Sequence, residues 1–197
     1  MLTRRICFVL ILYTCCAHHV FGQSDYTKHE LGGNVSVIGV DTKGAFNNDK
    51  SRDGFFGFNI QGAYNISRFW GLKADFSYFQ RQFEAGESNL TSRLFQIAGG
   101  IKLQDNANTT RFRPFAQALI GVAHASKLPR VLQEDSSGRL VAVLSGTGPA
   151  FALGGGLDIR LTKKLEFRAL QIDYNPVRVK DEWFQNVRLG IGLNFRF

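Results

Sequence analysis

The sequence predicts an all-β chain folded as an eight-stranded antiparallel up-and-down transmembrane β-barrel. Three observations predict it. Apolar and polar residues alternate with period two in one segment after another. The polar connections between those segments alternate between long and short. Beyond the N-terminal leader no run approaches the about 18 apolar residues of a membrane-crossing helix.

Length and composition set the frame. A chain of 197 residues makes one domain, and 44% hydrophobic residues with a mean hydropathy of −0.10 exclude a polytopic helical membrane protein. Glycine, at 21, and phenylalanine, at 18, stand out against 4 prolines, and aromatic residues favour a pleated sheet.

Residues 1–22 read as a signal peptide. Arg4 and Arg5 precede an apolar stretch at 6–17, too short to span a bilayer, and Gly22 with Val20 fits a small-residue cleavage site. The mature barrel domain is then 23–197. An uncleaved anchor and a lipoprotein site at Cys15 or Cys16 are the competing readings; the bulk of Tyr13 and Thr14 opposes the second. Cys7, Cys15, Cys16 and the single methionine all lie in the leader, so the mature chain has no thiol. That excludes a small disulfide scaffold and any cysteine metal site. Loss of the two leader arginines lowers the net charge from +8 to +6. His29 and His124, the histidines left, are too isolated for a metal cluster, and no cofactor is expected.

The strands follow in order. Val35 and Val37 oppose Asn34 and Ser36. Phe56, Phe58, Ile60, Gly62, Tyr64 and Ile66 oppose Gly57, Asn59, Gln61, Ala63 and Asn65. In the third strand Leu72, Ala74, Phe76 and Tyr78 oppose Lys73, Asp75 and Ser77; in the fourth Phe95, Ile97, Gly99, Ile101 and Leu103 oppose Gln96, Ala98, Gly100 and Lys102. Neither face of the fifth, 112–124, is polar: Gln117 points its face inward, which takes Phe115 and Leu119 inside as well. The sixth sets Phe151, Leu153, Gly155, Leu157, Ile159 and Leu161 against Ala152, Gly154, Gly156, Asp158 and Arg160. In the seventh the phase flips between Leu165/Phe167 and Leu170/Ile172/Tyr174, which one extra residue near Ala169 reconciles as a bulge. The eighth is the cleanest, with Val187, Leu189, Ile191, Leu193, Phe195 and Phe197 in phase against Arg188, Gly190, Gly192, Asn194 and Arg196.

Short connections fall at 67–69, 105–110 and 162–164, and long polar loops are expected at 41–53, 82–92, 125–148 and 175–185. The four prolines lie in loops or at strand ends.

Alternation alone does not separate a soluble barrel from a membrane one, but the polar face does. Lys73, Asp75, Lys102, Asp158, Arg160, Glu166, Arg168, Arg188 and Arg196 are mixed in sign and interspersed with glycine and alanine, which suits the filled lumen of a small barrel. The apolar face then meets lipid, and closure satisfies the backbone. Phe69, Trp70, Phe112, Phe197, Phe55, Phe83, Tyr174 and Trp183 near strand ends are expected to form two interfacial girdles.

The terminal Val187-Arg-Leu-Gly-Ile-Gly-Leu-Asn-Phe-Arg-Phe197 resembles the assembly signal of small outer-membrane β-barrels, the family that includes the OmpA-type transmembrane domain. Arg113-Pro-Phe-Ala-Gln-Ala-Leu-Ile-Gly-Val-Ala123, Phe151-Ala-Leu-Gly-Gly-Gly-Leu-Asp158 and Gln171-Ile-Asp-Tyr174 extend the resemblance over the mature chain. It implies a Gram-negative host, periplasmic termini, extracellular long loops and insertion by the barrel assembly machinery. No peptidoglycan-binding domain is expected after the last strand.

Other motifs take bland readings. Gly154-Gly155-Gly156 lacks the Lys and Ser/Thr of a phosphate loop. His124 and Ser126, with Glu134 and Asp135 following, have the His-x-Ser spacing of a lipid A deacylase, but the acid spacing is looser and that family's surrounding residues are missing. Lys43, Lys50, Arg52, Lys127, Arg130, Arg178 and Lys180 read as solvated loop charges, with lipopolysaccharide phosphates as the competing partner. A pI near 9.7 without a basic stripe excludes nucleic acid. The sequons at Asn34, Asn65, Asn89 and Asn108 read as chance. The expectation is a non-enzymatic structural or surface-interaction protein in contact with outer-membrane lipid and lipopolysaccharide, its loops open to host, phage or small-solute ligands. A small diffusion channel and a lipid A-modifying hydrolase are the alternatives.

Overall fold

The computed structural model describes residues 26–42, 52–85, 88–107, 109–135 and 138–197. Leader and cleavage site lie outside them, as do Lys43 and Lys50. Eight strands, β1 (His29–Asp41), β2 (Arg52–Asn65), β3 (Trp70–Ala85), β4 (Ser88–Gln104), β5 (Phe112–Asp135), β6 (Gly138–Arg160), β7 (Leu165–Val179) and β8 (Glu182–Arg196), each pair antiparallel with the next. β8 returns to β1, from Glu30↔Arg196 to Gly39↔Val187, and closes the barrel. Closure leaves no free edge in the membrane-crossing part, the condition under which a sheet can sit in hydrocarbon.

The outer wall is apolar in the phase that alternation predicts. Val35, Phe56, Leu153 and Ile120 are each more than 60% exposed, whereas Asn34, Asn59, Asp75 and Gln117 are buried in the lumen. β7 carries its bulge at Ala169: Leu157 pairs with Leu170 and Asp158 with Arg168, so the residue between has no partner across the ladder. β5 turns Arg113, Phe115, Gln117 and Leu119 inward. Phe115 is accommodated among charges because the Arg168 guanidinium stacks 4.2 Å from its ring centroid, while Leu119 packs on Ala98 and Ala152.

Prolines expected in loops or at strand ends lie within the ladders, Pro129 opposite Val143, Pro149 opposite Val122 and Pro176 opposite Gln185. Two further expectations are corrected. The long loops are for the most part β-hairpins: β3 and β4 pair to Ala85↔Ser88, β5 and β6 to Asp135↔Gly138, and β7 and β8 to Val179↔Glu182. The tallest is β5–β6, which continues past the last β4 partner at Ser126 and the last β7 partner at Ala150, with register shifts after Ala125 and Val131. Phe55 is not a girdle residue; it is fully buried inside the barrel. Phe69, Trp70, Phe112 and Phe197 are exposed at the termini end, and Tyr174 and Trp183 at the other. The side chain of Phe83 lies outside the described residues.

One physical cause underlies both corrections. Going up each strand from the termini end, the inward face changes from polar to apolar: Ser36 gives way to Ile38, Asn59 to Phe55, Ser77 to Phe79, Gln96 to Leu94, Asn175 to Val177 and Asn186 to Phe184. The outward face changes the opposite way, from Phe56 to Arg52, Tyr78 to Gln80 and Phe95 to Arg93. The pleat continues unbroken while its polarity inverts, as it must where the outside solvent changes from lipid to water.

Candidate functional site

The lumen is the candidate site, and it has three levels. At the termini end the connection after β4 folds beneath the barrel. Arg113 Nε donates to the carbonyl of Asp105 at 2.7 Å, Arg196 Nη2 to that of Asn106 at 2.8 Å and Arg160 Nη2 to that of Ala107 at 2.7 Å. Three arginines from three strands thus hold three successive carbonyls. The same guanidiniums surround Glu166: Arg113 hydrogen-bonds it, Arg196 Nη1 lies 3.2 Å away and Arg160 Nε 3.8 Å. Together the three guanidiniums carry about fifteen N–H groups, more than the about eight lone-pair sites of Glu166 and Glu30 can accept, and the backbone carbonyls take part of the surplus. Tyr26 bridges to Ala107 and donates its hydroxyl to the Ile66 carbonyl at 2.9 Å, which adds a second segment to this floor.

The middle level is a lattice of charge pairs across the lumen. Arg188 Nη1 reaches Asp75 at 3.0 Å and Ser77 at 2.7 Å, and its Nε reaches Asp173 at 2.9 Å. Arg168 grips Asp158 through two parallel bonds of 2.7 and 3.0 Å, the strong bidentate geometry. Lys102 pairs with Glu30, and Lys73 donates to Gln117 at 2.6 Å. Gln117 in turn donates to Asp173 at 2.6 Å, and Asn59 to Asp75 at 3.0 Å. These bonds join side chains far apart in sequence, such as Arg188 and Asp75 at a separation of 113, so the lattice ties strands across the barrel.

The third level, at the hairpin end, is an apolar core built inside the barrel from Ile38, Val40, Phe55, Phe79, Leu94, Leu128, Val177, Val179 and Phe184, with alanines between them. Beside it Arg81 pairs with Asp53 at 3.2 Å and donates to the Gly54 carbonyl at 3.2 Å, bridging β2 and β3 above their last paired residues, Phe56 and Gln80.

Of the nine charges placed in the lumen by alternation, Lys73, Asp75, Lys102, Asp158, Glu166, Arg168, Arg188 and Arg196 are buried there, and Arg160 is half-buried at the floor. Val187, Leu189, Ile191, Leu193, Phe195 and Phe197 share the outer face of the last strand. Sequence reasoning missed Glu30, Arg113 and Asn106, and it set Asp173 on the polar face of the seventh strand without counting it among the lumen charges. Glu30 was findable, since it is in phase with a polar neighbour, Asn34. Asn106 had no such signal, because it lies in a turn.

Chemically, each lumen carboxylate is engaged by a guanidinium or an ammonium, so none resembles a free acid or base. Among the described residues no group of three or more His, Cys, Asp or Glu is placed to hold a metal. His124 is on the outer wall, with Nδ1 2.8 Å from Thr147 Oγ1. The side chains of Glu134 and Asp135 lie outside the described residues. Gly154 and Gly156 serve close strand approach: a Cβ on Gly154 would lie 2.1 Å from the Ile172 carbonyl. Asn34 and Asn65 are buried lumen residues rather than glycan acceptors. Arg52 donates to the Gln185 carbonyl and Arg178 to Asp181, while Lys127 and Lys180 occupy left-handed turns at φ 55 and 54.

A family model described as outer membrane protein beta-barrel domain matches residues 8–197. Among solved structures the chain is similar to Neisserial surface protein A, at 12% identity over 86% of this chain and 97% of that one, with a TM-score of 0.61. It is also similar to OprG from Pseudomonas aeruginosa, at 13% identity over 90% of this chain and 99% of that one, with a TM-score of 0.53. No curated protein matches the sequence.

Proposed function

The chain belongs to the family of outer membrane protein beta-barrel domains, and from that premise we propose a closed, non-conducting barrel that works without catalysis, as a structural or surface-interaction protein. One observation carries the reading: both ends of the lumen are filled, by the arginine-held turn at one and by packed phenylalanines and aliphatic side chains at the other. An eight-stranded barrel has room inside for side chains and little more, and an apolar constriction is a barrier to hydrated ions. In this reading the termini face the periplasm and the hairpin end projects outward, offering host, phage or small-solute ligands a surface. Outer-membrane lipid and lipopolysaccharide cover the apolar wall, and the barrel assembly machinery inserts the chain. The Thr147 partner of His124 supports the non-enzymatic part.

Single-channel recording of refolded residues 23–197 in a planar bilayer tests it. A silent protein whose insertion is shown by a heat-sensitive gel shift is the expected result, and steady, salt-dependent openings overturn it. Lipid A from cells with and without the protein is expected to give the same mass spectrum; a difference abolished by His124→Ala reinstates the hydrolase.

A further inference from the structure

The polar lumen is unbalanced in charge. Among the described residues its floor and middle level bury six cations, Lys73, Lys102, Arg113, Arg168, Arg188 and Arg196, against five carboxylates, Glu30, Asp75, Asp158, Glu166 and Asp173; a further buried carboxylate, Asp53, lies at the hairpin end and pairs with Arg81. Five of the six cations form ion pairs; Lys73 forms none, and its ammonium spends one of three N–H groups on Gln117. An ammonium held out of water with no carboxylate within ion-pair distance is costly.

Lys73 borders a small cavity of about 10 Å³, room for one water-sized particle. Three cations, Lys73, Lys102 and Arg168, line it against a single carboxylate, Glu30, and the small residues Gly32 and Ala63 leave the space. Asn194 and Gln61 complete the wall. They are hydrogen-bonded to each other, Gln61 Nε2 to Asn194 Oδ1 at 2.9 Å, which leaves the buried Asn194 Nδ2 without a partner in the protein. Two residues with unspent N–H groups, one an ammonium and one an amide, therefore line one cavity in a net positive surround.

We propose that this cavity binds one small monovalent anion of the halide class, chloride under ordinary conditions, held by Lys73 Nζ and Asn194 Nδ2. The volume excludes phosphate and sulfate. Water is the competitor, because Gln61 Oε1, also without a partner, would accept from a water and not from a halide.

Refolding the protein in bromide in place of chloride admits the ion whether or not the lumen ends open. Anomalous diffraction at the bromine edge is expected to show one peak in the cavity, beside Lys73 and Asn194. A second measurement varies halide against gluconate at constant ionic strength: the urea midpoint of the native sequence is expected to rise with halide. Lys73→Met should lose that rise. Should Lys73→Met not fold, Asn194→Asp serves, since it supplies the missing carboxylate beside Lys73 and should fold with no halide dependence. Cavity density without an anomalous signal, or a midpoint indifferent to halide in the native sequence, overturns the proposal.

Discussion

Arg196 and Asn106 stand 90 positions apart, and Nη2 of the first donates to the main-chain carbonyl of the second at 2.8 Å. The penultimate residue thus locks the connection that closes the barrel floor, so the floor is complete only when β8 is in place. Arg196→Met removes this donor and one cationic neighbour of Glu166, leaving Arg113 and the more distant Arg160 to face it. The expected loss is about 3 kcal/mol of unfolding free energy, at the low end for breaking a buried pair. Urea titration of the refolded protein measures it, and Arg196→Lys is expected to recover only part, because an ammonium lacks the planar fork.

Phe55 and Phe56 are chain neighbours in different solvents, the first buried in the hairpin-end core and the second 68% exposed on the outer wall. Phe55→Ala is expected to cost about 3–5 kcal/mol, the range for emptying a packed aromatic site. Phe56→Ala is expected to cost less, since lipid closes over the smaller side chain. Equal losses in parallel urea titrations would contradict the inverted core.

Two hydrogen bonds from Arg68, Nε to Oδ1 at 2.9 Å and Nη2 to Oδ2 at 3.1 Å, hold the Asp105 carboxyl well below the usual carboxylate range. A group whose folded pKa is depressed contributes stability above its unfolded value, about 3.9, and that contribution is lost as pH falls through the folded value. The native sequence is therefore expected to weaken on acidification below about pH 4 more steeply than Arg68→Ala. Unfolding midpoints across that interval check it, and added salt should reduce the difference because the pair is partly solvated.

Phe197 exchanges both backbone hydrogen bonds with His29 at 3.0 Å, and its ring stacks on the His29 ring at 5.8 Å, yet the residue is 65% exposed. Exposure leaves the ring available to a partner during insertion. Phe197→Ser is expected to lower the fraction of heat-modifiable barrel in the membrane several-fold while changing the urea midpoint of the refolded protein little. Normal insertion of the variant would count against an assembly role for the terminal face.

How much of this was legible in the sequence depends on the level in the barrel. The membrane-crossing half was, because lipid outside and polar filling inside give one consistent alternation, and the phase flip at Ala169 located a bulge that the ladder contains. The hairpin half was not. At Val37 and Ile38, Phe55 and Phe56, Tyr78 and Phe79, and Leu94 and Phe95, two apolar residues follow one another, and beyond them hydropathy changes sign with the pleat intact. A pattern that reverses reads as a pattern that ends, so strands were mistaken for loops. The floor was hidden for another reason: it is made of main-chain carbonyls, which every residue has and no composition reveals. Arg113, their partner on β5, was obscured by a strand whose inward neighbours Phe115 and Leu119 are apolar.

Inversion of the wall separates what is displayed from what holds the display. On the hairpins, Gln80, Gln82 and Arg93 point to water, while the cohesion of that region lies on the opposite side of the same strands, in Phe55, Phe79 and Leu94. Substitutions at those outer positions therefore leave the packing beneath them intact, whereas a change at Phe55, Phe79 or Leu94 reaches the whole hairpin end at once.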